Sequence, residues 1–288
     1  MPETSKPPAF TLLNQSQVHL LLEWAALEGW NPGLHDADLF YDTDPEGFYG
    51  FFDGNELIAG GALVSYSSAF GFMGLFIVKP EYRGNGLGRD LWYLRRDLLL
   101  SRLNPGAPIG MDGVVGMQAF YSKGGFQLAF KDERYEITGA TMERHPEVMP
   151  LQASDMSHLL EMDLQCFGYN RSAFLQAWLL QPDAKVFQFG TGDAFGGFIV
   201  MRKARSGWKI GPLFSTSETT ANALLKACMD AVPGDKMYLD TPGSNPAARE
   251  LAKKHGGQFI FECGRMYLGN APALPMEMIY GITSFELG

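Results

Sequence analysis

Apolar residues recur with two different periods along this chain, and the order of those periods repeats once. Between Gln15 and Leu27 they have the helical spacing, and residues 35–41 give a second, shorter helical pattern. Three aromatic and β-branched runs follow at residues 48–54, 56–67 and 69–78, joined by turn residues such as Asp53-Gly54-Asn55. The pattern predicts an extended lead-in over residues 1–14, then two helices and a meander of three antiparallel strands.

The stretch after the third predicted strand is rich in glycine. Residues 78–88 read VKPEYRGNGLG, and the apolar residues that follow keep helical spacing to about Arg102. A strand, a tight turn and a helix are therefore predicted. Such a turn presents unpaired backbone N–H groups and the positive end of the helix dipole, a combination that binds anions. Its glycines allow a phosphate to reach bare backbone.

Two familiar phosphate loops do not fit this stretch. A P-loop needs Lys followed by Ser or Thr, and a dinucleotide fingerprint needs G-x-G-x-x-G, whereas Gly84, Gly86 and Gly88 are spaced two apart. The stretch resembles the acetyl-CoA signature of the GNAT superfamily of N-acetyltransferases, V-x-P-x-x-R-G-x-G-[LI]-G. This resemblance implies an acetyl-CoA co-substrate, held by Phe76, Ile77, Val78, Arg83, Gly84, Asn85, Gly86, Leu87, Gly88 and Arg89.

The next segments complete the same resemblance, which covers about residues 10–140. A strand is predicted over 107–114, a helix over 116–125 and further strands over 126–139. The helix contains AFYSKGGF, similar to the family's Y-x-K-x-G-F ending. This implies that Tyr121 is the general acid for the leaving thiolate, whereas the ordinary alternative is a packed helix tyrosine. The family's fold implies parallel strands that part around the pantetheine arm.

The second half repeats this order in a degenerate form. Helices are predicted at 153–167 and 172–180, strands within 185–215, then a helix, a strand, a helix and a hairpin at 258–269. Where the first copy has RGNGLG the second has STSETT, more suited to capping a helix near Glu218. We predict an α/β (α+β, mixed-sheet) fold of two tandem GNAT-like units, a catalytic unit 1–144 and a unit 145–288 that lacks the pyrophosphate loop.

Composition restricts the classes of molecule that the protein is expected to bind. A length of 288 residues suits two domains, and the net charge of -9 argues against nucleic acid and favours a cationic or neutral amine. The start of the chain does not resemble a secretory signal, and no run has the length of a membrane span. Three cysteines without C-x-x-C spacing predict reduced, inert thiols in a cytoplasmic protein, and no histidine has metal-ligand or triad spacing.

The general base is open at this stage. GFMGLFIV carries no acid, although some GNAT enzymes have a glutamate there. Glu28, Asp36 and Asp112 are the candidates, and each could instead be solvated or cap a helix. Trp30 and Asn31 are expected to shape the acceptor pocket.

The leading hypothesis is an acetyl-CoA-dependent N-acetyltransferase that acts on a primary amine of a small molecule. A non-catalytic acyl-CoA sensor would keep the phosphate turn without needing Tyr121. A structural platform built of two sheets would bind no coenzyme, so binding of acetyl-CoA separates it from the other two hypotheses.

Overall fold

A computed structural model describes residues 8–288, so the first seven residues of the predicted lead-in lie outside it. The predicted order of elements is confirmed, apart from three short strands that were not predicted, Ala9–Leu12, Val148–Pro150 and Ile279–Gly281. The first half consists of β1 Ala9–Leu12, α1 Gln15–Leu27, α2 Asp36–Thr43, β2 Phe48–Asp53, β3 Glu56–Tyr66, β4 Phe70–Val78, α3 Leu87–Arg102, β5 Ile109–Val114, α4 Gln118–Lys123 and β6 Gln127–Thr138. The second half consists of β7 Val148–Pro150, α5 Met156–Phe167, α6 Ser172–Leu180, β8 Lys185–Phe189, β9 Gly197–Lys203, β10 Trp208–Ser215, α7 Glu218–Ala231, β11 Lys236–Pro242, α8 Pro246–Lys254, β12 Gln258–Leu268 and β13 Ile279–Gly281.

The mixed sheet runs through both halves because their last long strands have exchanged places. β12 pairs antiparallel with β5, and β6 pairs antiparallel with β11. β6 and β12 also pair with each other, which closes one sheet in the order β1-β2-β3-β4-β5-β12-β6-β11-β10-β9-β8-β7. The predicted boundary at residue 144 therefore divides the sequence but not the sheet.

Two details of the predicted strands were wrong. Residues 126–139 form one long strand rather than several, and residues 258–269 form a single strand rather than a hairpin. Gly264 lies within this strand and stays in register opposite Gly113 on β5 and Lys131 on β6. Its glycine identity has a packing reason, because a Cβ there would lie 2.6 Å from the side-chain nitrogen of Gln118.

The parallel strands of the first half part soon after they pair. β4 and β5 are in register only from Gly71 opposite Ile109 to Met73 opposite Met111. Beyond that point β4 remains paired with β3, but none of the strands within residues 8–288 pairs with its other edge. A V-shaped gap opens between β4 and β5, as the resemblance implied.

The same gap in the second half is filled by the chain itself. β10 and β11 pair in parallel from Trp208 to Ile210, and β13 then pairs with β10 at Leu213 and Phe214. The amide of Ile282 donates to the backbone carbonyl of Asp240 on β11, so the inserted segment contacts both strands that border the gap.

Side chains from the two halves share one core. The largest buried cluster contains residues from Leu13 to Leu287, and the rings of Phe40 on α2 and Trp178 on α6 stack 6.3 Å apart. Residues 8–288 include no helix with the length and hydropathy needed to span a bilayer.

Asp36, predicted for the acceptor pocket, instead joins the two halves inside this core. It accepts hydrogen bonds from Nε and Nη2 of Arg202 at 2.9 and 3.2 Å and from the amide of Gly33 at 2.7 Å. Both side chains of the ion pair are buried. Burial alone would raise the pKa of Asp36, but the guanidinium of Arg202 outweighs it and the pKa is lowered.

The exchanged strands predict that the two halves cannot fold alone. Fragments 1–144 and 145–288, made separately, should show no cooperative thermal transition by circular dichroism, because each lacks the strand that pairs beside its own sheet. Co-expression should restore the transition. As a control, the full chain cleaved after folding at a protease site engineered between β6 and β7 should keep it. A cooperative melt of isolated fragment 1–144 would contradict this account.

Asp36→Asn should lower the free energy of unfolding by about 3–5 kcal/mol, because it leaves the buried Arg202 without its counter-ion. Urea titration followed by tryptophan fluorescence measures this. Since the pKa of Asp36 is lowered on folding, its contribution is present at neutral pH and is lost as the pH falls through the folded-state value. The deficit should therefore shrink on acidification. Asp38→Asn, an exposed aspartate on the same helix, is the control and should cost far less.

Candidate functional site

The glycine-rich turn between β4 and α3 leaves its backbone open. Gly84 and Gly86 both have a φ of +85°, a left-handed conformation that glycine adopts without strain. No atom lies within 4 Å of the position that a Cβ would take at Gly84. A ligand can therefore approach the backbone of this turn directly.

The amides from Gly84 to Arg89 have no acceptor within the described chain. After these residues, Asp90 is the first whose amide forms a hydrogen bond, which it donates to the carbonyl of Gly86 at 3.1 Å. Gly86, at the N-cap of α3, has no side chain that could cap the helix. The positive end of the α3 dipole lies at the same place. Such a group of unpaired amides is suited to bind a diphosphate.

The other predicted coenzyme residues surround this turn. Arg83 donates through Nε to the carbonyl of Val78 at 2.8 Å and forms an ion pair with Glu28 at the end of α1. Asn85 and Arg89 are exposed, and Leu87 is half-buried. These contacts fix the arginine beside the turn while its guanidinium remains partly exposed.

The open edge of β4 presents two of the three predicted strand amides. The amide of Lys79 donates to Ile58 on β3, and successive amides of a strand point to opposite sides. The amides of Phe76 and Val78 therefore point into the gap beside β5. The amide of Ile77 points towards β3, so Ile77 can line the gap but cannot donate into it.

A cavity of about 500 Å³ extends from the turn along this gap. Arg83, Gly84 and Gly88 line one end of it, and the β4 residues 73–78 form its wall. Because Gly88 has no side chain, α3 begins close to β4: a Cβ there would lie 3.3 Å from Val78. The glycine-rich turn and the strand gap are thus parts of one space.

Tyr121 on α4 lines the same cavity. Its ring stacks on Trp92 at 5.9 Å and lies against the backbone of β5, where a Cβ at Gly113 would be 2.9 Å from the ring. Burial raises the pKa of the Tyr121 phenol to about 12, although the nearby cation of Arg95 lowers it. The phenol is therefore protonated at neutral pH and can donate a proton.

The far end of the cavity is aromatic and comes largely from exchanged strands and the end of the chain. Trp30, Phe261 and Phe285 line it together with Arg134. The Arg134 guanidinium lies 4.8 and 5.0 Å from the ring centres of Phe261 and Phe285 and forms a buried ion pair with Asp240. This end suits a flat or apolar group better than a hydrated one.

The structure brings some of the predicted acceptor residues together and separates others. Glu28, Trp30 and Asp112 line the cavity, whereas Asn31 and Asp36 do not. The side chain of Asn31 exchanges two hydrogen bonds with the backbone of Ser206 in the β9–β10 turn, which holds the segment after α1 to the second half.

Asp112 is held too firmly to be the general base. Its two oxygens accept from Nε and Nη2 of Arg265 on β12 at 2.7 and 2.8 Å, and its side chain is fully buried. Burial raises the pKa of Asp112 in spite of the arginine. The carboxylate therefore anchors the exchanged strand to β5.

Several residues of the cavity wall were not predicted. They are supplied by the exchanged strands or the end of the chain: Arg134, Phe261, Cys263, Phe285 and Glu286. A signal was available, since KGGFQLAFKDERY at residues 123–135 resembles HGGQFIFECGRMY at residues 255–267, and these two segments include three of the five. Burial raises the pKa of the Cys263 thiol, so this cysteine is not a thiolate nucleophile. No group of three or more His, Cys, Asp or Glu within residues 8–288 is arranged to hold a metal.

The second half has no comparable phosphate site. Ser217 caps α7 as predicted, its side chain accepting from the amide of Thr220 at 3.2 Å. This bond uses a helix amide that a phosphate would need. Together with the insertion of β13, it closes the second gap to a ligand of the same shape.

Family models match both halves. Residues 16–126 match the acetyltransferase (GNAT) family, and residues 159–281 match an acetyltransferase (GNAT) domain. A protein named holothin acyltransferase, from Pseudoalteromonas sp. (strain SANK 73390), is 29% identical over 287 residues, which is 99% of this chain and 94% of that protein.

Solved structures share the complete architecture. A putative acetyltransferase from Pyrococcus horikoshii superposes with a TM-score of 0.83 at 20% identity, covering 98% of this chain and 96% of that one. A tandem GNAT protein from the clavulanic acid biosynthesis pathway superposes with a TM-score of 0.64 at 12% identity, covering 92% and 99%. With a GNAT match in each half, the chain belongs to the tandem GNAT proteins, and it is an N-acyltransferase that uses an acyl-CoA donor.

Proposed function

We propose that the chain transfers an acetyl group from acetyl-CoA to a primary amine of a small molecule, and that the first unit carries out the reaction. The observation that carries this proposal is one continuous cavity, which joins the phosphate turn, the open edge of β4, the Tyr121 phenol and an aromatic end. A donor and an acceptor could meet there in a fixed orientation, which supplies much of the rate of a two-substrate reaction.

In this proposal the amides of the turn and of the first residues of α3 bind the pyrophosphate, and Arg83 adds a positive charge. The pantetheine arm lies between β4 and β5. The amides of Phe76 and Val78 donate to it, and one of them stabilises the oxyanion that forms on the thioester carbonyl. Tyr121 gives its proton to the departing sulfur.

The acceptor enters at the aromatic end beside Trp30. The enclosure of this end by side chains from both halves supports a small molecule. The name of the Pseudoalteromonas relative also supports it, and the net charge of -9 favours a neutral or cationic amine. The descriptions of both family models favour acetyl as the transferred group. Three buried cysteines without a disulfide support a reducing, cytoplasmic location.

A non-catalytic acyl-CoA sensor would need the phosphate turn but no proton donor. The position of the Tyr121 phenol on the wall of the same cavity favours the enzyme. Thermal shift with acetyl-CoA and acetylation of an amine panel test the proposal together. No shift at saturating acetyl-CoA would overturn it.

Arg83→Glu should weaken acetyl-CoA binding about 10- to 100-fold, which corresponds to the loss of one charge-assisted hydrogen bond of about 1.5–3 kcal/mol. Isothermal titration calorimetry measures the dissociation constant. Arg205→Glu is the matched control, since Arg205 is also exposed and also paired with a glutamate, but lies in the β9–β10 turn. Unchanged affinity in Arg83→Glu would exclude the arginine from coenzyme binding.

Tyr121→Phe should lower kcat about 100-fold and leave the KM for acetyl-CoA nearly unchanged, because the lost proton transfer occurs only in the transition state. Release of the coenzyme thiol gives the rate. With a pKa of about 12 the parent phenol should add no alkaline limb at assay pH. Tyr93→Phe, in the same aromatic cluster but outside the cavity wall, should retain the parent rate. A rate for Tyr121→Phe within twofold of the parent, on the order of 0.4 kcal/mol, would rule out this role.

A further inference from the structure

Three carboxylates line the cavity, and one of them has a buried oxygen with no hydrogen-bond partner among residues 8–288. Glu28 is engaged by the arginine of the phosphate turn, and both oxygens of Asp112 accept from Arg265. Glu286 accepts through Oε1 from Nζ of Lys209 at 3.2 Å. Its Oε2 is buried and has no hydrogen-bond partner among residues 8–288.

A buried carboxylate oxygen that accepts no hydrogen bond costs folding free energy, and such oxygens are rare in native proteins. The cost is offset when a ligand brings an N–H group to it, most strongly when that group is a cation. Because Glu286 is one of the residues that line the cavity, a molecule bound there can supply the missing donor.

Glu286 also lies where the acceptor amine is needed. Its carbonyl oxygen would be only 1.9 Å from a Cβ placed on Gly74, the residue after the last pair between β4 and β5. From Val78 at the phosphate turn to Gly74 is about 13 Å along an extended strand. Glu286 is thus at the closed end of the gap, where an arm bound along β4 delivers its reactive end.

The segment that carries Glu286 is fixed in place by both halves. The hydroxyl of Tyr66 on β3 donates to the carbonyl of Leu287 at 3.0 Å, and Arg171 donates to the carbonyl of Gly288 at 2.9 Å. The amide of Leu287 donates to Ser284 at 3.1 Å. Such anchoring holds the carboxylate in one position relative to β4.

Resting on the proposed function, we propose that Glu286 binds the acceptor ammonium and takes its first proton. The amine nitrogen, now with a free electron pair, forms the C–N bond to the thioester carbonyl carbon. The C–S bond breaks with its electron pair on sulfur, which receives the proton of Tyr121. The second amine proton restores Tyr121, and Glu286 returns the first to water. The balance is ammonium plus acetyl-CoA giving amide, coenzyme thiol and one proton.

Three charged groups face this carboxylate: Lys209 from β10, Arg134 from β6 and Asp112 from β5. Arg134 and Asp112 are each held in another buried ion pair. Lys209 is the cation that holds Glu286, and burial lowers the pKa of this lysine. The nearby cations of the protein are therefore already engaged, and a further cation at the free oxygen of Glu286 would be the ammonium group of the substrate.

The test compares Glu286→Gln with the parent on two classes of amine. Tyramine, tryptamine and benzylamine are cations at pH 7, whereas aniline is neutral and has no first proton to lose. For the cationic amines, kcat/KM should fall about 100-fold in the variant. For aniline it should fall less than threefold, on the order of 0.6 kcal/mol. Equal deficits for both classes, as a purely structural ion pair would give, or no deficit, would overturn the proposal.

Controls separate this role from folding and from the function itself. Glu277→Gln, an exposed glutamate of the same segment, should match the parent, and Glu286→Gln should bind acetyl-CoA normally. If Glu286→Gln does not fold, Glu286→Asp keeps the charge beside Lys209 and should show the same selective deficit. A parent that binds tyramine through Glu286 without forming amide would overturn amine acetylation and the proton transfer to Glu286, and would leave only the binding of the ammonium. A parent that acetylates tyramine independently of Glu286 would overturn only the present proposal, and one that does neither would overturn both.

Discussion

A β-strand that loses its neighbour leaves a row of backbone amides unpaired, and this requirement organises the molecule. β4 parts from β5 after Met73, and the amides of Phe76 and Val78 then have no strand beside them. Buried backbone donors must be paired, so the gap needs an occupant. An extended arm that carries a thioester could be this occupant, and the open turn beyond Val78 could hold the phosphates of the same ligand.

The second unit meets the same requirement with its own backbone. β13 enters the gap between β10 and β11, and Ser217 takes the place of a phosphate at the start of α7. Filling the gap closes the space between β10 and β11 and preserves the fold. The inserted segment continues to Phe285 and Glu286 in the wall of the first unit's cavity. The same inserted segment thus fills the gap in the second unit and completes the cavity wall of the first.

Local patterns predicted the elements and the glycine-rich turn, because each depends on residues close together in sequence. Glycine spacing gave the turn at Gly84 and Gly86, and hydroxyl side chains gave the cap at Ser217. The exchange of β6 and β12 could not be predicted, since a strand's alternation is the same whichever edge it joins. The buried ion pairs of the predicted acidic residues could not be predicted for a related reason. Asp36 and Asp112 look like exposed bases until Arg202 and Arg265, more than a hundred residues away, are placed against them.

The crossed strands also constrain how such a chain can change. After a gene duplication, two independent copies can diverge until one is lost without harm. Here, deletion of the later copy would remove β12 from beside β5 and the aromatic wall from the earlier copy's pocket. The second unit thus contributes structure that the first unit needs, and its sequence is free to vary only where it does not contact the first.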